Sequence, residues 1–108
     1  MDTTATQTLQ VAALNDAARS NAANYMATRG IMALSDITIS GIFVAVQEFT
    51  AFTEDNDPYG EHDFGSFTVD GQKVFWKIDY YTQDLSGGCD PLDPDCRRVI
   101  TIMLAEEY

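Results

Sequence analysis

The stretch from residue 64 to residue 81, "FGSFTVDGQKVFWKIDYY", decides the fold. Two runs of alternating apolar and polar residues meet at Asp70-Gly71, a pair that accepts positive φ at both central positions of a type I' turn and so closes a two-residue β-hairpin. That turn sets the register. Val69 faces Gln72, Phe67 faces Val74 and Gly65 faces Trp76. Phe67, Val69, Val74, Trp76, Ile78 and Tyr80 then share one face, which is the candidate core. Ser66, Thr68, Lys73, Phe75, Lys77, Asp79 and Tyr81 share the other, a mixed face open to solvent or to a partner.

Outward from the hairpin, the closing segment "RRVITIMLAEEY" (97–108) alternates Ile100, Ile102 and Leu104 with Thr101 and Met103. It is expected as a strand, with a helix through Val99, Ile102, Met103 and Glu106 as the alternative. Ile39, Ile42, Phe43, Val46, Phe49 and Phe52 recur at helical spacing, with Asp36, Thr38 or Ser40 as candidate caps. "DITIS" read as a short strand is the rival. Val11, Leu14, Ala18, Ala22 and Tyr25 predict an earlier helix to about residue 26, with Asn15, Arg19 and Asn21 facing water. "RGIMAL" (29–34) supplies a glycine stop and then a short apolar run, expected as a first strand. The expected architecture is α+β: two helices packed on a small, mostly antiparallel sheet of three to four strands with a central type I' hairpin. Residues 1–108 make a single expected domain, with residues 1–7 frayed.

Six basic against seventeen acidic side chains give a net charge of -11, and the excess is concentrated late. Three acids and two arginines precede Glu48; from there on, fourteen acids face only Lys73, Lys77, Arg97 and Arg98. With 45% hydrophobic residues the chain has enough apolar material for a core, so this acidity is carried on a folded surface. Such a surface repels phosphates and anionic membranes and favours a basic protein or nucleoprotein partner, which argues against direct nucleic-acid binding. No apolar run approaches a membrane span and "MDTTATQTLQ" lacks the layout of a signal peptide, so the expected location is cytoplasmic. In that reducing compartment Cys89 and Cys96 are expected as free thiols, a bridge requiring that "DPLDPD" fold back on itself.

Two acidic stretches stand out. "TEDNDPYGEHDFG" (53–65) surrounds the only histidine, His62, with Glu54, Asp55, Asp57, Glu61 and Asp63. As a calcium loop it fails. Asp55, Asp57 and Gly60 fall at positions one, three and six of an EF-hand, but position five is Tyr59 and position twelve, which needs a bidentate glutamate, is Ser66. Zinc has too few ligands, and no metal or other cofactor is expected. Tyr59, Glu61, His62 and Asp63 form the alternative catalytic set, a proton shuttle with no paired nucleophile in sight. The bland account is a β-turn built by Asp-Pro-Tyr-Gly, with Asp55 and Asn56 bonding back to nearby amides. "CDPLDPDC" (89–96) holds Asp90, Asp93 and Asp95 between two prolines. Trp76 and Tyr80 are expected in the core, and Arg97 and Arg98 in pairs with nearby carboxylates.

The blocks "FTEDNDPYGEHDFGSFTVDGQKVFWKIDYY" (52–81) and "ITIMLAEEY" (100–108), with "ALND" (13–16), resemble a bacterial family of small uncharacterised proteins, the domain-of-unknown-function family numbered 3768. The resemblance runs from about Leu14 onward, leaves residues 20–41 without a firm pattern, and does not include Cys89 and Cys96 in its blocks. It implies no activity. The charge argument therefore carries the functional expectation: a non-enzymatic binding module that presents Asp55, Asp57, Glu61, Asp63, Asp90, Asp93 and Asp95 to a basic groove. Its sharpest form is an anti-CRISPR or anti-restriction inhibitor that mimics nucleic-acid charge. The alternatives are a small hydrolase or metal-dependent enzyme on the DPYGEHD block, and a housekeeping binding module.

Overall fold

The computed structural model describes residues 3–108. A four-stranded sheet carries the fold, with β1 Tyr25–Ala27, β2 Phe64–Val69, β3 Gln72–Tyr81 and β4 Arg97–Leu104 in the order β1-β4-β3-β2. β2 with β3 and β3 with β4 are antiparallel; β1 lies parallel to β4. Three helices accompany it: α1 Thr3–Arg19, the single turn α2 Arg29–Met32, and α3 Asp36–Gln47. The fold is α+β, as the alternation and helical spacings predict.

The hairpin follows from its turn. Asp70 at φ 49° and Gly71 at φ 77° both occupy the left-handed region, which defines the type I' geometry. Val69 pairs with Gln72, Phe67 with Val74 and Gly65 with Trp76, the expected register. Gly65 is needed for space. A Cβ there would lie 2.5 Å from Trp76 Nε1 and 2.8 Å from Phe49 Cε1. Register with β4 then stacks Val74 on Leu104, Trp76 on Ile102 and Ile78 on Ile100, and these six side chains are buried together with Ile31, Ile42, Val46 and Phe49. The opposite face is also partly covered, by Phe75 between Phe64 at 5.4 Å and Tyr108 at 5.3 Å.

Several expectations are corrected. Residues 3–7 are helical, not frayed, because α1 starts at Thr3; residues 1 and 2 lie outside the described residues. α1 also ends earlier than the spacing suggests. The Asn24 amide donates to the Ala18 carbonyl at 3.0 Å and the Tyr25 hydroxyl donates to the Arg19 carbonyl, so side chains satisfy the terminal acceptors that another helical turn would have used. Tyr25 consequently starts a strand. Leu14 is 43% exposed and Ala22 is exposed, whereas Asn15 and Arg19 are buried, so the inward stripe runs Val11, Asn15, Ala18, Arg19. The first strand precedes "RGIMAL", which instead forms the one-turn α2. For α3 the helical reading of "DITIS" holds and Ser35 is the cap, its hydroxyl accepting from the Thr38 N–H at 3.2 Å.

Candidate functional site

The 53–63 loop is organised by its own side chains. The Thr53 N–H donates to Asn56 Oδ1 at 2.9 Å and the Asn56 amide donates to the Ala51 carbonyl at 3.1 Å. Asp57 turns inward, only 8% exposed, where Oδ1 accepts from the Glu61 N–H at 3.1 Å and the His62 N–H at 3.2 Å. Gly60 and His62 adopt φ of 71° and 57°, reversing the chain around that carboxylate. Asp57 is therefore occupied within the turn and presents little to a partner.

His62 fastens the loop to the rest of the molecule. Its ring stacks on Phe52 with centroids 3.9 Å apart and planes within 1°, Nδ1 lies 3.0 Å from Asp16 Oδ1, and Nε2 lies 3.8 Å from Asp57 Oδ2. The ring lines a cleft of about 520 Å³ with Asp16, Arg19, Glu48 and Phe52. Arg19 is buried beneath it. Nη1 donates to the carbonyls of Val46, in the last turn of α3, at 2.8 Å and of Phe49, just past the helix, at 3.0 Å, while Nη2 pairs with Asp16 at 2.7 Å. Its Nε has no hydrogen-bond partner among the described residues, nor has Trp76 Nε1. The guanidinium instead lies 4.9 Å from the Trp76 ring centre, where the negative face of the indole offsets part of the desolvation cost.

Asn15 joins the two acidic loops. Fully buried, it donates both amide hydrogens, to the Glu61 carbonyl at 2.9 Å and the Tyr80 hydroxyl at 2.8 Å, and its Oδ1 accepts from Arg98 Nε at 2.7 Å. Arg98 continues to the Pro91 carbonyl and lies 5.2 Å from the Tyr80 ring centre. One α1 side chain thus reaches the 53–63 loop directly and the 89–96 loop through a single arginine. Arg98 is taken by neutral acceptors, and among the described residues neither Arg97 nor Arg98 forms an ion pair with a carboxylate, contrary to expectation. Burial of one charge against neutral carbonyls leaves the nearby acids unbalanced.

The second acidic loop is a pair of side-chain-closed turns. Asp90 Oδ1 accepts from the Leu92 N–H at 2.8 Å and Asp93 Oδ1 from the Asp95 N–H at 2.9 Å, leaving all three aspartates at the surface. Both loops border one groove of about 680 Å³ beside α1, with Tyr59 and Glu61 on one side and Asp90 and Leu92 on the other. Burial first, and then the charges of Asp63 and Asp57, raise the Glu61 pKa above its ordinary value. Asp63 is also raised, mainly by burial, with Asp57 and Asp79 adding to it. Like charges in water's partial absence are what such shifts report.

Of the residues singled out in the sequence, Glu61 and Asp90 border the same groove, Asp55, Asp93 and Asp95 are exposed on the loops that flank it, Asp63 is half-buried, and Asp57 is internal. Of the alternative catalytic set, Tyr59 and Glu61 line the groove beside α1, whereas His62 lines the cleft with Asp16. The sequence pattern does not mark Asn15, Asp16, Arg19 or Arg98 as site residues. A signal existed, since positions 15 and 19 are four and eight residues beyond Val11 on the same helical stripe. Among the described residues no group of three or more His, Cys, Asp and Glu side chains is arranged to hold a metal, and no helix is long and apolar enough to cross a membrane.

Comparison with known proteins adds a family. A model described as "Protein of unknown function (DUF3768)" matches residues 27–107, a span that includes residues 27–41, Cys89 and Cys96 but leaves out α1 and the "ALND" segment. No curated protein and no solved structure matches the chain.

Proposed function

The chain belongs to the DUF3768 family, which brings no activity with it, and we propose from the geometry alone that it is a non-enzymatic acidic docking module. It seats the groove edge formed by Glu61 and Asp90, with Asp55, Asp63, Asp93 and Asp95 around it, on a basic surface of a protein or nucleoprotein complex. One observation carries this reading: both acidic loops border a single groove, and among the described residues none of these carboxylates is paired with a lysine or arginine. Unpaired surface carboxylates keep a long-range attraction for cations that internal ion pairs would have cancelled. The sharpest form of the proposal is an anti-defence inhibitor that fills a nucleic-acid channel with carboxylates in place of phosphates.

Capture from host lysate on the immobilised chain tests it, at about 50 mM and about 500 mM salt, where screening shortens from roughly 14 Å to roughly 4 Å. A Glu61→Lys, Asp90→Lys, Asp93→Lys variant with unchanged far-UV circular dichroism is run beside the wild type. The expected partner is retained only by the wild type at low salt and is released by added duplex DNA in the inhibitor form. A partner held equally at high salt, or by the charge-reversed variant, refutes docking through this face. The hydrolytic alternative is supported by one observation, His62 lining a cleft beside Asp16, while Tyr59 and Glu61 lie on the other groove.

A further inference from the structure

The 89–96 loop folds back on itself, the condition under which its two cysteines could bond. Gly88 forms an isolated antiparallel bridge with Tyr81, and the Cys89 N–H donates to the Tyr80 carbonyl at 3.3 Å, so Cys89 is held against β3. Cys96 directly precedes β4, whose Arg97 is in register with the same Tyr81. Between them the chain makes two consecutive turns, the Asp93 N–H donating to the Asp90 carbonyl at 2.9 Å and the Cys96 N–H to the Asp93 carbonyl at 3.0 Å. Gln83 Nε2 holds the Asp95 carbonyl at 2.6 Å and Arg98 holds that of Pro91. This pinned arc leaves both thiols unbridged and half-buried, with Cys96 near enough to act on the Cys89 thiol.

We infer that Cys89 and Cys96 are a redox-active pair that closes an intramolecular disulfide across the acidic loop by exchange with a small-molecule disulfide of the glutathione type. In the first step one protein sulfur, as thiolate, attacks the small disulfide; an S–S bond to the protein forms and one small thiolate leaves. In the second step the other protein sulfur attacks the first, the protein S–S bond forms and the second small thiolate leaves. The two protons lost by the cysteines end on the two released thiols, and the protein is oxidised by two electrons as the small disulfide is reduced. Anchoring both ends of the loop beside Tyr80 and Tyr81 favours the second step, because the attacking group is held near the mixed disulfide. Burial, the neighbouring Cys96 and the nearby Asp93 charge push the Cys89 thiol up to about 11, so alkaline pH speeds closure.

The bond encloses Asp90, Asp93 and Asp95. Any effect on partner capture rests on the docking proposal, but formation of the bond does not, so the two can fail separately. The test is intact-mass analysis of the reduced full-length chain incubated with oxidised glutathione at pH 7.5 and pH 9. The expected product is a monomer lighter by about 2 Da with no glutathione attached, formed faster at pH 9 and restored by dithiothreitol. Cys89→Ser and Cys96→Ser variants with native circular dichroism should instead stop as adducts heavier by about 305 Da. A wild-type chain that ends as a glutathione adduct, as a disulfide-linked dimer, or unmodified at pH 9 while both thiols are alkylated in denaturant, overturns the pairing.

Discussion

Replacing Asn15 by leucine removes the one side chain that ties α1 to both acidic loops while keeping its branched shape. Three hydrogen bonds disappear: the charge-assisted bond from Arg98, worth about 1.5–3 kcal/mol, and the bonds to the Glu61 carbonyl and the Tyr80 hydroxyl, about 1 kcal/mol each. Leucine returns roughly 1 kcal/mol through apolar burial at this fully enclosed position. The net loss is about 3 kcal/mol. With an unfolding entropy of about 2.1 cal/mol/K per residue, that corresponds to a Tm lower by about 13 °C for a chain of this size. Urea unfolding followed by the fluorescence of Trp76 and by far-UV circular dichroism provides the assay, coincident transitions justifying a two-state treatment. A coupling of at least about 1 kcal/mol between Asn15→Leu and Arg98→Met is expected in a double-mutant cycle. A single-variant loss below about 1 kcal/mol, or additive effects, would refute the reasoning that Asn15 is a structural junction.

Two glycines offer a paired control on packing. Gly65→Ala drives a methyl into the buried Trp76 and Phe49 rings and should cost about 1–3 kcal/mol, whereas Gly41→Ala, in α3 with nothing within 4 Å, should stabilise by about 0.5–1 kcal/mol; the opposite order of urea midpoints would contradict the register. Stability should also depend on pH in a specific direction. Glu61 and Asp63 are raised in the folded chain, so it binds their protons more tightly than the unfolded one does, and stability falls as pH rises from the ordinary values of 4.5 and 3.8 through the raised ones. Asp84, lowered to about 2 by Ser86 and Thr82, and Glu107, lowered by Thr28 and the Leu104 N–H, behave oppositely: their contribution is present above the ordinary values and is lost as pH falls through the depressed ones. Unfolding midpoints should therefore rise as pH is lowered through the raised values of Glu61 and Asp63 and fall once pH drops below the ordinary values of Glu107 and Asp84, and Glu61→Gln with Asp63→Asn should shrink the rise; an equal rise in that double variant would show that the two groups are not its source.

The elements that the residues reveal directly are those whose partners are close in the chain. Asp70-Gly71 and its flanking alternation specify β2, β3 and their register because the turn itself fixes which residues meet. β4 is legible from Ile100, Ile102 and Leu104 for the same period. β1 is not, because three residues are too few to show alternation and their partner is Ile100–Ile102, far downstream. Asn15 and Arg19 are misplaced to solvent for a related reason. Polar side chains are cheap to bury only when acceptors or donors are waiting, and those of Asn15 lie 46, 65 and 83 residues away. The block around His62 is legible as a turn through Asp-Pro-Tyr-Gly, but the inward rotation of Asp57 depends on backbone sign changes at Gly60 and His62 that composition does not dictate.

The position of β4 between β1 and β3 has a consequence for how the molecule is made. Synthesised from the N-terminus, the chain delivers β1 early, yet the only strand that can hydrogen-bond it arrives last. Until Ile100–Ile102 emerge, the hairpin can close by itself, but β1 waits with an unpaired backbone and Trp76 lacks Ile102 across from it. A nascent chain stalled before Arg97 is missing a strand from the middle of its sheet, not one from the rim, and so leaves two fragments with no ladder between them. Native structure should therefore appear late and in one cooperative step, once β4 has emerged from the ribosome, with the unpaired first strand exposed to chaperones until then.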